Sequence, residues 1–396
     1  MRSTNEVREI LETLRIGNVN AEDFKKLQEE QKKDEKDPFN NDPRRHPALI
    51  VNSERPFNAE TPPSFILDNF RTPNDIFFVR NHMPVPEVKE EEHVVVVEGE
   101  GIRRPIRLSV EQLKMDYEPH SIVAVVQCAG NRRNDMNDHK KVNGLMWTGT
   151  AISNAKWTGA RLRDILLTAG INPKDPNIKH VQFEGADHDI SGQHYGASIS
   201  FQKAMSPETI IAYKMNDEDL PRDHGYPLRL VAPGIVGARQ VKWITGIKTS
   251  NEESNSHWQK KDYRAFSPSV ESSNNVDWDS VPAIQGKRTI TMRGYAWSGG
   301  GRGIIRVDVS ADEGKTWHVA ELTQDPKQDL DTAWAWTFWK AEIPLPKDVK
   351  PGEKVVLVCK ATDRAYNTQP ETAAGLWNIR GLLHNAWHRI PVMIVD

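Results

Sequence analysis

The spacing of hydrophobic residues changes along the chain and divides it into regions. Near the amino terminus, the apolar residues of "NEVREILETLRIG" recur at helical intervals, which predicts a short amphipathic helix. The segment that follows is dominated by charged residues of both signs, which indicates a solvated linker. Residues 1–47 are therefore predicted to form a helix and a linker ahead of the first domain.

Residues 48–278 combine two hydrophobic periods. Short β-branched runs predict strands, among them "HVVVVEGEG", "SIVAVVQ" and "YPLRLVAP". Segments with helical spacing, such as "GARLRDILLTAG", predict helices between these strands. The region is therefore predicted to be an α+β domain.

Residues 279–396 show one alternating run after another. The segments "RTITMRGYAWSG", "TAWAWTFWKAEIPL" and "EKVVLVCKATD" predict short strands bounded by turns. A polar segment rich in serine and asparagine precedes them, and it predicts the boundary between the two domains. Such a succession of strands is typical of an all-β immunoglobulin-like sandwich domain.

The composition is that of a soluble protein with more than one packed domain. The chain has 396 residues, of which 37% are hydrophobic, and a formal net charge of -3. This balance predicts no nucleic-acid partner, and no apolar run approaches the roughly 18 residues that a membrane span needs. Any anion-binding site must therefore be local.

The sequence predicts an intracellular protein but leaves its compartment open. Two widely separated cysteines without CxxC spacing predict no disulfide framework, which favours a reducing environment. No apolar signal segment is present, early glutamates argue against a mitochondrial presequence, and the last residues are no peroxisomal address. A mitochondrial or peroxisomal location therefore has no recognisable targeting signal in its favour.

The two cysteines differ in their surroundings. Cys359 lies in an alternating strand pattern and is interpreted as a small core residue. Cys128 ends the buried run "SIVAVVQ" and precedes Arg132 and Arg133. Because cationic neighbours favour a thiolate, Cys128 suits a metal ligand or, with a histidine close in space, a nucleophile. Residue chemistry alone leaves these roles open beside a purely structural one.

Basic and aromatic residues cluster in three segments that are otherwise apolar. These segments are "FFVRNHMPVP", "CAGNRR" and "PRDHGYPLRLVAPGIVGARQVKW". Partly buried cations carry a desolvation cost unless an anion or a metal pairs with them. No Walker loop, GxSxG elbow or HExxH pattern offers another site, and "SGGGRG" is interpreted as a hairpin loop.

Together with "SHWQKKDYRAFSPSV" and "GLWNIRGLLHNAWHR", these three segments resemble the sulfite oxidase family, which also includes the molybdenum portion of eukaryotic nitrate reductases. The resemblance extends from about His46 to the carboxyl terminus. It implies an α+β molybdopterin-binding domain followed by an immunoglobulin-like dimerisation domain. The expected assembly is therefore a homodimer.

The resemblance also implies a molybdenum-molybdopterin cofactor and assigns it ligands. Cys128 matches the single protein ligand of the molybdenum, whose other ligands belong to the cofactor and to terminal oxo groups. Further positions match those that hold the pterin and its phosphate, namely Arg80, Asn81, His82, Asp187, His224, Arg229, Gln240, Val241 and Lys242.

A substrate pocket is implied in the same way. The positions that match the anion-binding residues of the family are Arg80, Arg133, Trp147, Tyr263 and Arg380. The expected reaction is the oxidation of sulfite to sulfate by oxygen-atom transfer. Arg380 separates two activities, because nitrate reductases of this family generally carry an uncharged residue at that position.

The electron acceptor and two alternative functions remain open at this point. No cytochrome b5-like haem domain precedes the molybdenum domain, so no haem is expected in this chain. The electrons would pass to oxygen, as in the plant enzymes that the entry segment of the first domain resembles, or to a separate carrier such as cytochrome c, unless the chain is a fragment. The alternatives are the molybdenum portion of a nitrate reductase and a cofactor-carrying protein without turnover.

Overall fold

The computed structural model describes residues 37–263, 283–285, 289–346, 349–350 and 352–395. The amino-terminal helix and the domain boundary after residue 278 lie outside the described residues, so both stay predictions. The chain divides into a unit Met1–Asn41 and a unit Asp42–Asp396. The fold described below belongs entirely to the second unit.

Up to Tyr263 the second unit mixes strands with short helices. The strands are β1 (Ile50–Glu54), β2 (Phe57–Glu60), β3 (Val79–Arg80), β4 (Val94–Gly99), β5 (Ile106–Ser109), β6 (Pro119–Gln127), β7 (Ile152–Arg161), β8 (His180–His188), β9 (His194–Ser200), β10 (Ile210–Met215), β11 (Glu218–Asp219), β12 (Arg229–Val231) and β13 (Ile244–Ser250). The α-helices are α1 (Pro63–Asp68), α2 (Val110–Met115), α3 (Arg133–Asn137), α4 (Leu162–Thr168) and α5 (Phe201–Ala204). Single 3-10 turns span Asn74–Ile76, Glu90–Glu92, Arg222–His224 and Gly237–Arg239, and a π-helix spans Trp258–Asp262.

Three sheets organise this region. One has the order β5-β4-β13-β8-β9, a second has the order β11-β10-β7-β6 with β12 also paired to β10, and a third has the order β1-β2-β3. Pairing is antiparallel except between β13 and β4. Helices α2 and α4 contribute apolar residues to a core shared with the first of these sheets. The predicted α+β architecture is therefore confirmed.

After Tyr263 every regular element in the described residues is a strand. These strands are β14 (Ala283–Gln285), β15 (Thr289–Ala296), β16 (Ile304–Ser310), β17 (His318–Val319), β18 (Glu321–Thr323), β19 (Thr337–Pro344), β20 (Lys354–Asp363) and β21 (His388–Val395). They form one sheet in the order β14-β21-β20-β16-β17 and another in the order β15-β19-β18.

The two sheets of this region pack into a sandwich. Alternate residues of β15 and β19 are buried, as expected for strands with one face on a core. Their inward side chains meet those of β16, β20 and β21 in a single apolar cluster. The predicted all-β sandwich is confirmed by this arrangement.

Several contacts in the described residues join the sandwich to the preceding region. Trp336, which is fully buried, packs with Ile66, Val125 and Ile152, and its indole Nε1 donates to the carbonyl of Phe70 at 3.0 Å. The loop before β21 also returns to the end of β6, where the amide of Leu383 donates to the carbonyl of Ala129 at 2.8 Å. The carboxyl-terminal segment thus reaches the loop that carries Cys128.

Candidate cofactor and anion site

Cys128 lies where strand β6 leaves the sheet. Its amide donates to the carbonyl of Ala151 at 2.9 Å, and the amide of Gly130 donates to its Sγ at 3.4 Å. Arg132 adopts a left-handed conformation with φ of 60°, which turns the chain into α3. The thiol is buried with 6% of the residue exposed, and it faces a pocket formed by distant parts of the chain.

That pocket brings together most of the predicted site residues. Strand β3 supplies Arg80, the turn after β11 supplies His224, and the turn before β13 supplies Lys242. The predicted residues that line it are Arg80, Asn81, His82, Cys128, Asp187, His224, Arg229, Gln240, Val241, Lys242 and Tyr263. Residues that are up to 183 positions apart in sequence therefore share one concave surface, as the hydrogen bond from Arg80 to Tyr263 shows.

Three cations of the pocket are hydrogen-bonded to neutral oxygens. In the described residues, Arg80 donates to Asn58 Oδ1 (3.0 Å), its neighbour's carbonyl (2.6 Å) and Tyr263 Oη (3.4 Å). Arg229 donates to the carbonyls of His224 (3.0 Å) and Leu230 (3.3 Å), and it lies 4.8 Å from the centre of an indole ring.

Lys242 shows the same pattern of neutral acceptors. Its Nζ donates to the carbonyls of Asp223 (2.7 Å) and Arg80 (3.2 Å) and to Asn81 Oδ1. Burial lowers the pKa of Lys242 to about 7 and that of Arg229 to about 9, because a buried charge loses its hydration. In the described residues these two cations therefore have neutral oxygens as hydrogen-bond acceptors. An anion that entered the pocket would stabilise their charged forms and raise their pKa values.

The pocket also contains a carboxyl group, that of Asp187, beside its cations. Its Oδ1 is buried and has no hydrogen-bond partner in the part of the chain that the structure describes, and burial raises the pKa of its carboxyl to about 7. A buried acceptor without a donor costs free energy unless a ligand supplies one. Molybdopterin carries N–H donors and a phosphate, so the unpaired carboxyl, the uncompensated cations and the thiol together fit that cofactor.

Tyr263 is held between two basic residues at the thiol side of the pocket. His82 Nε2 lies 2.7 Å from its hydroxyl, and Arg80 Nη2 donates to it at 3.4 Å. Burial, with the charges of Arg80 and Lys242, keeps the pKa of His82 well below its ordinary value, whereas burial raises the pKa of Tyr263. The imidazole is thus neutral and the phenol keeps its proton near neutral pH.

Arg133 is fixed beside this pocket by the returning carboxyl-terminal loop. Its Nε donates to the carbonyls of Arg380 (2.9 Å) and Gly381 (3.3 Å), and its Nη1 donates to the carbonyl of Leu145 (2.5 Å). A methyl group added at Gly130, Gly144 or Gly381 would come within 2.5–2.8 Å of the Arg133 side chain. A side chain at any of these three glycines would therefore clash with the side chain of Arg133.

The two remaining residues predicted to bind substrate, Trp147 and Arg380, lie near the pocket and differ in the partners of their side chains. Trp147 is fully buried and packs against Gly130, in the core that also contains Cys128. The guanidinium of Arg380 forms an ion pair with Asp262, which immediately precedes Tyr263. The structure thus places Arg380 at the site, where its charge is partly neutralised by a carboxylate that sequence reasoning did not associate with it.

Two of the predicted cofactor residues are committed to the protein itself. Gln240 accepts a hydrogen bond from the amide of Ala232 (3.2 Å) and donates one to the carbonyl of Ile235 (2.7 Å). The side chain of Val241 belongs to the main apolar core. Their side chains shape the loop before β13, where both residues line the pocket.

Other lining residues were missed by the sequence analysis. Tyr195 donates its hydroxyl to the carbonyl of Ala238 (2.8 Å) and lies with its ring 5.0 Å from that of His82. Asp223, within the quoted segment "PRDHGYPLR", accepts hydrogen bonds from Arg45 and Asn81. Nothing in the local sequence marks Tyr195. Asp223 immediately precedes the predicted residue His224 but was not itself predicted, although Asp187 was.

Within the described residues, no helix is long and apolar enough to cross a membrane. That part of the chain also contains no group of three or more histidine, cysteine, aspartate or glutamate side chains able to hold a metal ion.

Comparison with known protein families gives the class of this site. Residues 82–258 match the oxidoreductase molybdopterin binding domain, and residues 268–395 match the Mo-co oxidoreductase dimerisation domain. The fold is similar to that of the sulfane dehydrogenase SoxCD from Paracoccus pantotrophus, with a TM-score of 0.68 and 26% identity over 84% of this chain and 83% of that one. The chain is thus a molybdenum-dependent oxidoreductase.

Individual relatives identify the family to which the chain belongs within this class of oxidoreductases. The mitochondrial sulfite oxidase of Rattus norvegicus is 46% identical over 98% of this chain and 73% of its own length. The sulfite oxidase of Arabidopsis thaliana is 39% identical over 89% of this chain and 95% of its own length. Nitrate reductase [NADH] 1 of Phaseolus vulgaris is 35% identical over 89% of this chain and 43% of its own length. The chain belongs to the sulfite oxidase family.

The uncompensated cations predict that tetrahedral anions stabilise protein produced without the cofactor. Phosphate should raise the melting temperature by at least about 2 °C more than chloride at equal ionic strength, because a ligand that binds only the folded state stabilises it. Differential scanning fluorimetry measures the shift, which Lys242→Gln should abolish. The control Lys156→Gln, which changes an exposed lysine paired with Asp217, should keep it. Equal shifts with phosphate and chloride would contradict an anion site.

Proposed function

We propose that this protein oxidises sulfite to sulfate by oxygen-atom transfer at a cysteine-ligated molybdenum-molybdopterin centre. The observation that carries the proposal is the buried thiol of Cys128 facing a pocket with uncompensated cations. In that pocket Arg80 and Tyr263 are hydrogen-bonded to each other within reach of the thiol. The near full-length similarity to sulfite oxidases supports sulfite as the substrate.

The cofactor would be held by residues at both ends of the pocket. Lys242 and Arg229 would supply positive charge for the phosphate, with the neutral imidazole of His224 beside them, and Asp187 would accept from the pterin N–H groups. Asn81 and His82 complete the wall, with the main chain of Gln240 and Val241. The thiolate of Cys128 would be the single protein ligand of the metal. When bound, the cofactor supplies the oxygen-atom and two-electron chemistry of the reaction.

The substrate would be bound by residues on the thiol side of the pocket. Arg80 and Arg133 offer planar, forked donors to the sulfite oxygens, and Trp147 excludes water from that wall. The protonated hydroxyl of Tyr263 donates a further hydrogen bond, which the neutral His82 orients. Because these donors are held by the protein before substrate arrives, they stabilise the charge of the anion without rearranging.

The electron acceptor is proposed to be oxygen or a separate electron-carrier protein. Sulfite oxidation by the purified protein should be measured in parallel with oxygen, ferricyanide and cytochrome c. Turnover with sulfite in any of the three arms supports the proposal, and the fastest natural acceptor identifies the route of the electrons. Stoichiometric molybdenum without turnover of sulfite in all three arms would leave a cofactor-carrying protein.

The first prediction from this assignment concerns the metal ligand. Cys128→Ser should abolish sulfite turnover while the protein stays folded, because serine is nearly isosteric but is a poor ligand for soft metals. Activity and circular dichroism measure the two effects. Cys359→Ser is the matched control and should keep activity, because Cys359 lies in strand β20, where burial raises the pKa of its thiol to about 11. A Cys128→Ser variant with near wild-type turnover would exclude Cys128 as the ligand.

The second prediction concerns assembly. The matched dimerisation domain and the sandwich of the described residues support a homodimer formed through the carboxyl-terminal domain, predicted to span residues 279–396. Sedimentation analysis at micromolar concentration should give twice the chain mass of 44.9 kDa. A monomer under these conditions would count against it.

The third prediction separates sulfite from nitrate as substrate. Removing a charge-assisted contact costs about 1.5 to 3 kcal/mol, or roughly one to two orders of magnitude in affinity. Arg380→Met should therefore raise the KM for sulfite at least tenfold, with a smaller fall in kcat and unchanged cofactor content. Steady-state kinetics and molybdenum analysis provide the measurements.

Arg389→Met is the control for Arg380, because Arg389 also pairs with a carboxylate, that of Glu371 at 3.8 Å, but lies in strand β21. It should leave the KM for sulfite unchanged. An unchanged KM in Arg380→Met, or faster reduction of nitrate than oxidation of sulfite by the wild type, would favour the nitrate reductase alternative.

A further inference from the structure

Asp223 places a carboxylate next to the cations of the pocket. It lies in the turn Arg222–His224, and its own carbonyl accepts a hydrogen bond from Lys242 Nζ at 2.7 Å. A carboxylate at this point attracts the same cations that would bind the phosphate of the cofactor. Its negative charge must therefore be engaged elsewhere if the pocket is to receive an anion.

Arg45 engages both oxygens of this carboxylate. Its Nε lies 2.8 Å from Asp223 Oδ2, and its Nη2 lies 3.0 Å from Oδ1, which also accepts from Asn81 Nδ2 at 2.8 Å. Burial opposes the ionisation of Asp223, but the hydrogen bonds and the charge of Arg45 outweigh it and lower the pKa of Asp223 below its ordinary value. The carboxylate is thus ionised and directed toward Arg45, away from Lys242.

Arg45 is itself fixed by two neighbours. Its Nη2 donates to Asp42 at 2.7 Å, and its guanidinium lies 4.3 Å from the centre of the Phe57 ring. Asp42 in turn accepts from the amide of Val85 at 2.9 Å, in the same segment as Arg80 and Asn81. Both side chains of the Arg45–Asp223 ion pair are mostly buried, with 13% of the Arg45 side chain and 8% of the Asp223 side chain exposed. Such a contact is ordered and weakly screened by solvent.

We propose that Arg45 is a positioning residue for cofactor binding, which by holding the carboxylate of Asp223 leaves the charge of Lys242 uncancelled for the phosphate. The inference rests on the cofactor site of the proposed function. It also assigns a role to a residue outside the segment 82–258 that matches the molybdopterin binding domain. Arg45 does not line the pocket, so it acts through Asp223, Asn81 and Lys242.

The consequence of losing Arg45 follows from the charges that remain. An Asp223 carboxylate without Arg45 would pair with Lys242, whose Nζ already contacts the carbonyl of the same residue. The ion pair between Asp223 and Lys242 would neutralise the charge of Lys242. The carboxylate of Asp223 would also repel the phosphate. Replacing Asp223 by asparagine in the same protein removes the competing charge and keeps an acceptor for Asn81, so cofactor binding should return.

The test measures molybdenum and pterin per folded protein, isolated as the full chain by size exclusion. Arg45→Ala should lower both contents at least threefold, and Arg45→Ala with Asp223→Asn should restore most of the loss. Arg71→Ala is the matched control, because it removes an arginine from an exposed pair with Asp217 at 3.7 Å, and it should leave both contents unchanged. If Arg45→Ala does not fold, Arg45→Gln, which removes the charge but keeps a polar side chain, is compared with Arg45→Gln carrying Asp223→Asn, and the first should hold less cofactor.

Two results would overturn the proposal. One is a wild-type cofactor content in Arg45→Ala. The other is equal depletion in the single and the double variant, which would mean that Arg45 only supports the fold. Sulfite oxidation by the wild type is a separate measurement, so a protein that binds the cofactor but does not turn over sulfite contradicts the proposed function and leaves the role of Arg45 standing.

Discussion

Burial of positive charge without carboxylate contacts is the constraint on which the pocket depends. Arg229 is buried and Arg80 and Lys242 are partly buried, yet in the described residues all three donate to carbonyl, amide and hydroxyl oxygens. Burying an ion costs several kcal/mol, and neutral acceptors recover only part of that cost. These charges are therefore only partly stabilised by the protein, and the phosphate of a cofactor would stabilise them further. Two carboxylates of the pocket, Asp187 and Asp223, act on Lys242, and the second of them is held by Arg45.

The same principle extends to the substrate end of the pocket. Arg133 is held by three main-chain carbonyls, two of which come from the loop that precedes the last strand of the sandwich. A carbonyl fixes the direction of a guanidinium without neutralising its charge, whereas an ion pair would do both. Arg380 illustrates the contrast, because its pairing with Asp262 leaves less charge for an anion. The carboxyl-terminal region thus contributes to a site whose proposed metal ligand, Cys128, lies in the α+β region.

The motifs predicted much of the site because its chemistry is concentrated in short segments. Strand β6 becomes buried toward Cys128, as the apolar run before it predicts, and the segment around Arg80 contributes five pocket residues, three of which were predicted. The predictions were weaker where contacts are made by long-range packing. The side chains of Gln240 and Val241 turned out to hold the loop and the core, and Tyr195 reaches the pocket from strand β9 without any local pattern.

The sequence by itself determined the alternation of strands and helices, the change to an all-β region, and the residue types able to bind a soft metal and an anion. These properties depend on the periodicity and chemistry of neighbouring residues, which a linear pattern contains. Only the tertiary structure decided which charges meet. Arg45 pairs with a carboxylate 178 positions away, and Arg133 is held by carbonyls 247 and 248 positions away. Such partners are set by how sheets and loops pack in space, and electrostatic energy depends on that distance and burial, which sequence separation does not encode.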